Sequence, residues 1–347
     1  MLQTQTLFVS GENGYHTYRI PAILTTGKGT ILAFCEARRN GGGDAGDIDV
    51  VLRRSFDQGE TWEPVQVIAD NGSDTIGNPC PVQDRETGTV WLLLCTNAED
   101  GHERDILAGK AARGVCVMKS DDDGATWSTP LDITADVKRP DWTWYATGPC
   151  HGVQLRSGRL LIPCNHAMLD PAEERSGPYH SHVIYSDDHG ASWRIGGIVG
   201  AMTNECAVAE LPDGSVYINM RSYHGVNRRA FACSRDGGLS WSEMSMDEAL
   251  VEPVCQGSVI EDGLGGILFS NPASTTREKL TVQISLDGCR TWTAQQVVHP
   301  GPSAYSDLAV LGDGTVLCLY ECGENRPYER IALARFPAGT FRKAKLG

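Results

Sequence analysis

An all-β fold, a six-bladed β-propeller occupying residues 1–347 as one domain, is what three features of the sequence predict. The first is a recurring spelling, Ser-x-Asp-x-Gly-x-Thr/Ser-Trp, at residues 55–62, 120–127, 186–193 and 234–241, with a fifth copy at 285–292 that carries Cys289 in the glycine place. The second is the set of short β-rich runs just upstream of the boxes, such as residues 48–52 and 182–185, with no helical period between them. The third is length. A chain of 347 residues divided among six units leaves roughly 58 residues each, enough for four strands. Five boxes plus one unmarked unit make six.

Each box has a local logic. The Asp and hydroxyl side chains bond the turn's own backbone, the glycine accepts a tight φ, and the tryptophan inserts beneath as an anchor. Aspartates 57, 122, 188, 236 and 287 stand 65, 66, 48 and 51 residues apart, a repeat length typical of blades or a solenoid. Five of the eight tryptophans lie in the boxes, so most of the chain's tryptophan is structural. The loss of glycine at Cys289 puts the geometry of the fifth corner in question. The unmarked unit is expected to pair the N-terminal stretch with a late run such as residues 330–334, closing the ring and hiding its edges.

The formal charge of −14 argues against a general nucleic-acid role, because phosphate binding wants a basic face. Any anion site must be local. The twelve cysteines contain no C-x-x-C pair and read as reduced buried thiols, which points to a reducing compartment. Residues 1–6 show neither a basic nor an apolar leader segment, and no run approaches transmembrane length, so the expected location is cytoplasmic without membrane insertion.

Taken in order, residues 18–21 (Tyr-Arg-Ile-Pro) open a strand that turns at Gly27-Lys28-Gly29 into a hairpin. Alone, Arg19 reads as a solvated strand-end arginine. Residues 36–49 form a glycine-rich loop between strands, holding Arg38, Asp44 and Asp47; such composition commonly marks a solvated turn. Residues 77–81 and 141–149 are turn-rich and aromatic, equally suited to line a pocket or to join blades. His166, His180 and His182 lack a metal-ligand spacing, so no metal is assigned. Glu205 stands among Cys206, Val208 and Leu211, where an unpaired carboxylate is costly. Pro212-Asp213-Gly214 is a hairpin turn that would put Glu205 and Arg221 on adjacent strands. Glu210, the competing acid, reads as a structural or surface partner.

The Tyr-Arg-Ile-Pro motif followed by repeated Asp boxes resembles the sialidase (neuraminidase) family over essentially the whole chain. That resemblance implies a six-bladed propeller with its site at the central axis and a reaction that needs no cofactor. It further implies Arg19, Arg221 and Arg277 as a triad for the substrate carboxylate, and Arg38 as another substrate-binding arginine. Asp44, nine residues before Arg53-Arg54, becomes the loop acid/base, with Asp47 as its rival. Tyr305, within Ser303-Ala304-Tyr305-Ser306-Asp307-Leu308, becomes the nucleophile, Glu205 its activating base, and Glu321 the brace of Arg19.

The residue types suit one reaction. A sialoside carries a carboxylate on its anomeric carbon, which arginines can clamp through charge-assisted bonds. That same carboxylate repels an anionic nucleophile, and sialidases are the known exception that uses tyrosine. The expected function is a retaining exo-α-sialidase acting on sialylated oligosaccharides or glycoconjugates. Two alternatives share the arginines: a trans-sialidase, intramolecular or otherwise, with Trp142 or Trp144 shaping the acceptor side, and a non-catalytic sialic-acid-binding propeller. A partner-binding scaffold would need no inward arginines. Linkage preference and oligomeric state are not legible in these residues.

Overall fold

The computed structural model describes residues 2–170 and 175–341. The chain is all-β, with strands arranged as successive antiparallel runs. The first run is Thr17–Thr25, Ile31–Arg38, Ile48–Ser55 and Gln66–Ala69. The second is Thr75–Gln83, Val90–Asn97, Gly114–Ser120 and Leu131–Asp132, linked to the first by one parallel contact between Ile48 and Thr75. The third comprises Trp142–Thr147, Leu160–Asp170, Arg175–Ser186 and Arg194–Ala201, with Val153–Gln154 beside it; the fourth comprises Thr203–Glu210, Val216–Ser222, Arg228–Ser234 and Ser245–Val251. The long strand Ala294–Val310 serves twice. Its first half completes a run with Ser258–Glu261, Ile267–Pro272 and Glu278–Ser285, and its second half begins one with Thr315–Cys322 and Arg330–Pro337.

The N-terminal strand Gln3–Val9 pairs with Arg330–Pro337, as the sequence predicts for the run without a box. Every box follows the third strand of its run. In the first, Ser55 Oγ donates to Asp57 Oδ1 at 2.8 Å, and Asp57 accepts the Thr61 amide at 2.9 Å and the Thr61 hydroxyl at 2.6 Å. The fifth corner keeps this geometry. Cys289 adopts φ +65°, its amide donates to Ser285 Oγ at 2.9 Å, and Thr291 Oγ1 donates to Asp287 at 2.6 Å. The network holds a side-chain residue in the left-handed region at a cost of order 1–3 kcal/mol. At Gly190 no such exchange is available, because a Cβ there would meet the Trp91 ring at 2.2 Å.

The core is a series of apolar clusters, each between neighbouring runs. Leu32, Phe34, Leu52 and Leu92 join the first to the second, and Leu93, Ile162 and Ile184 the second to the third. Val183, Val208 and Ile218 continue to the fourth, Tyr217 and Phe269 to the fifth, and Val282 and Leu308 to the last. A further cluster, with Tyr18, Ile31, Leu319 and Leu333, packs the last run against the first. The buried Asp307 carboxylate ties three runs together. It accepts the Ile23 amide at 2.8 Å, Ser258 Oγ at 2.7 Å and His151 Nδ1 at 2.8 Å.

Two features escaped the sequence reading. Helices Glu103–Leu107 and Thr134–Val137 are too short to imprint a 3.6-residue period. His166 and His182, fully buried, form a pair with Nδ1 atoms 3.0 Å apart, and His166 stacks on Trp142 at 3.5 Å. Trp142 is thereby a core residue, so it does not shape an acceptor side. Burial, then Arg139 and His180, lower the His182 pKa to about 3, and burial with His182 lowers that of His166. Between these folded values and the unfolded value of about 6.5, only the unfolded chain takes up the protons. Stability therefore falls as pH drops below about 6.5, by about 1.4 kcal/mol per pH unit for each excluded proton. Thermal melts from pH 7.5 to pH 5 are expected to show this slope, and His166→Phe to flatten it.

Candidate active site

Inward-facing residues of all the runs converge on one cleft of about 190 Å³. Its lining includes Arg19, Arg38, Asp44, Glu205, Arg221, Arg277 and Tyr305. The sequence had separated these residues by up to 286 positions, from 19 to 305.

Arg19 lies on the first strand of its run, where the register with the next strand shifts between Arg19 and Ala22. Ile20 takes φ +58°, an outlier for a β-branched residue. Glu321 holds it there. Its Oε1 accepts Arg19 Nε at 2.7 Å and the Ile20 amide at 2.9 Å, while Oε2 accepts the Tyr305 amide at 3.1 Å. The predicted Arg19–Glu321 brace is present, and the same carboxylate also positions the Tyr305 backbone.

Tyr305 Oη donates to Glu205 Oε1 at 2.5 Å. Glu205 Oε2 accepts Arg221 Nη1 at 2.8 Å, and that nitrogen lies 3.3 Å from Tyr305 Oη. Glu205 and Arg221 are on adjacent strands, as the hairpin turn predicts. Burial and then the Glu205 carboxylate push the Tyr305 pKa well above its ordinary value, against the pull of Arg221 and Arg19. The phenol therefore keeps its proton in the free protein and points it at a base. The Tyr305 ring lies beneath two guanidiniums, Arg19 at 5.2 Å and Arg277 at 5.6 Å from its centroid.

The glycine-rich loop is folded around Arg38. Arg38 donates to Glu36 through Nε at 2.9 Å and Nη2 at 2.6 Å, and through Nη1 to the Gly42 and Gly43 carbonyls at 2.7 and 2.9 Å. The same Nη1 reaches Asp44 Oδ1 at 2.8 Å. Arg38 lines the cleft, and these contacts go to Glu36 on its own strand, another lining residue, and to the loop that follows. Asp44 is well exposed, with 60% of its side chain open to solvent. Partial desolvation by the cleft wall around it raises its pKa, and the guanidiniums of Arg38 and Arg19 outweigh that and hold it below the usual carboxylate range. The carboxyl is therefore ionised in the free protein at neutral pH. Asp47 pairs with Arg39 at 3.0 Å and is not part of the cleft lining. Glu210 accepts the Arg156 amide at 2.8 Å, a partner role as expected.

Several residues in the cleft escaped sequence reasoning. Arg113 is buried, donates to Asn97 and Asn78 Oδ1 at 2.5 Å each, and lies 4.2 Å from the Trp144 ring centroid. Glu103, on the unforeseen short helix, accepts the Tyr179 hydroxyl at the rim. Tyr223 stands under Arg221 at 5.2 Å. Its signal was available, since it follows Arg221 by two residues, one past the end of the strand Val216–Ser222, where the alternation of faces still brings it to Arg221's side. Arg113 sits before its strand, in a stretch without periodicity.

The fold and this cleft define a class: an all-β protein that gathers arginines around a tyrosine and carboxylate pair. A family model described as a BNR repeat-like domain matches residues 29–318. The chain is 35% identical over 95% of its length to a sialidase of Micromonospora viridifaciens, and 31% identical over 95% to Sialidase-3 of Rattus norvegicus. It spans 54% of the Micromonospora protein's length and 93% of the rat protein's. Among solved structures, the Hadza microbial sialidase Hz136 superposes with a TM-score of 0.87 at 30% identity, covering 98% of this chain and 69% of that one. The chain belongs to the sialidase family.

Proposed function

We propose that this chain is a retaining exo-α-sialidase that removes terminal α-linked sialic acid from glycans, working as a single six-bladed β-propeller. The propeller reading is supported by successive four-stranded runs whose apolar clusters lead from each to the next and finally from the last back to the first. The activity reading is carried by one observation, the Tyr305 hydroxyl aimed at Glu205 within a set of arginines.

Arg19, Arg221 and Arg277 clamp the carboxylate that a sialoside carries on its anomeric carbon. Glu205 takes the Tyr305 proton as the phenolic oxygen bonds to that carbon, and Asp44, protonated on loop closure over the substrate, gives its proton to the departing aglycone oxygen. The glycosyl–tyrosine bond then breaks as water attacks. Asp44 accepts the water's proton and Glu205 returns one to the phenolate. Two displacements at one carbon give net retention.

Proton NMR of the reaction with an α-linked sialyl-lactose tests this. Free sialic acid is expected first as the α-anomer, mutarotating later. Early β-anomer would overturn the tyrosyl mechanism, and an anhydro sugar or new glycoside would assign transfer in place of hydrolysis. We also propose a reducing, cytoplasmic setting, supported by twelve free cysteines, eleven of them buried.

A further inference from the structure

We propose that Tyr328 is a positioning residue that aligns two of the three clamp arginines without cancelling their charge, so that the clamp is tuned to one incoming carboxylate. The proposal rests on the sialidase reading above. Tyr328 is not part of the cleft lining and acts from behind it.

Its placement is built. Tyr328 sits in the turn between Thr315–Cys322 and Arg330–Pro337, where the Glu329 carboxylate accepts the amides of Glu324, Asn325 and Arg326 at 2.9, 3.1 and 3.1 Å. Ser10 Oγ donates to the Tyr328 carbonyl at 2.8 Å, and the ring packs against the cluster of Ile20, Cys255, Ala304 and Tyr305. From this position one side chain reaches two arginines. The Arg19 guanidinium lies 4.0 Å from the ring centroid, and Arg277 Nη1 donates to Tyr328 Oη at 2.5 Å.

The three arginines differ in what anchors them. Arg19 pairs with Glu321 and Arg221 with Glu205, but among the described residues Arg277 has no carboxylate within 4.0 Å. Its anchor is the Tyr328 hydroxyl. Three guanidiniums against two carboxylates leave the clamp with one positive charge in excess. A third carboxylate at position 328 would bring that sum to zero and compete with the ligand's own carboxylate. A phenol avoids this: its oxygen orients Arg277 through a lone pair, and its π face attracts Arg19.

The test compares wild type with Tyr328→Phe, Tyr328→Leu and Tyr328→Glu. The readouts are steady-state kinetics on an α-linked sialyl-lactose, calorimetric binding of the 2,3-unsaturated sialic acid analogue, and melting temperature as a control on folding. Tyr328→Phe keeps the ring and loses the Arg277 bond. It is expected to raise KM and the analogue's Kd about tenfold while leaving kcat within about twofold. Tyr328→Leu also removes the ring beneath Arg19 and is expected to weaken binding further. Tyr328→Glu restores an acceptor but cancels the excess charge, so its Kd is expected to exceed that of Tyr328→Phe. An unchanged Kd in a well-folded Tyr328→Phe overturns the positioning role, and wild-type affinity in Tyr328→Glu overturns the charge argument. A wild type that binds the analogue but releases no sugar overturns the catalytic reading alone, because the clamp is still read through Kd.

Discussion

Tyr305→Phe is expected to lower kcat/KM on any α-linked sialoside on the order of a thousandfold or more, with KM little changed. The substitution removes one oxygen and leaves the ring beneath Arg19 and Arg277, so the carboxylate clamp persists. What disappears is the atom that bonds to the anomeric carbon in the mechanism proposed above, together with the 2.5 Å bond to Glu205. Single-turnover kinetics with quenching separate the outcomes: wild type is expected to accumulate a glycosylated Tyr305 peptide under acid quench, and the variant none. Near-normal turnover in the variant would remove Tyr305 from the mechanism and leave a water attacking directly under Glu205.

Asp44→Asn is expected to divide substrates by leaving group. For sialyl-lactose, whose departing alkoxide needs a proton, kcat/KM should fall by about 10²–10⁴. For a nitrophenyl sialoside, whose phenolate leaves unaided, the loss should be at least about tenfold smaller. The geometry motivates this contrast: Asp44 is exposed on a glycine-rich loop, and among the described residues its ion pair is with Arg38 at the cleft edge. Its removal therefore disturbs proton delivery more than the clamp. Equal losses on both substrates would reassign Asp44 to holding Arg38 and its loop.

The corner boxes were legible because the Ser-Asp-Thr/Ser turn of each is a local network, complete within seven residues, even where the tryptophan that follows bonds a distant partner, as Trp241 and Trp292 do. Even the cysteine at 289 left the pattern readable, and its hydrogen bonds are those of the other corners. That Tyr305, Glu205 and the arginines would be brought together was legible through motif order, and they do line one cleft. Tyr328 was not, because a tyrosine after Arg326-Pro327 in a turn looks like a surface residue, and its partners are 51 and 309 positions away. Arg113 and the imidazole pair were hidden for the same reason. The surroundings of Arg113 are made by contacts between runs, and those of the imidazole pair by strand pairing and stacking within the third run, so no short stretch of sequence carries either.

Glu321 carries a consequence for how the molecule comes into being. One carboxylate holds Arg19, the strained Ile20 and the Tyr305 amide, bringing together positions 19 and 321. Translation makes Glu321 at a point 302 positions after Arg19. A nascent chain that has already formed its first five corners still has Arg19 without its anchor and Ile20 without the bond that keeps it left-handed. The placement of Arg19, Ile20 and the Tyr305 backbone therefore waits until residue 321 has been made, and a ribosome stalled before it presents five corners without that junction.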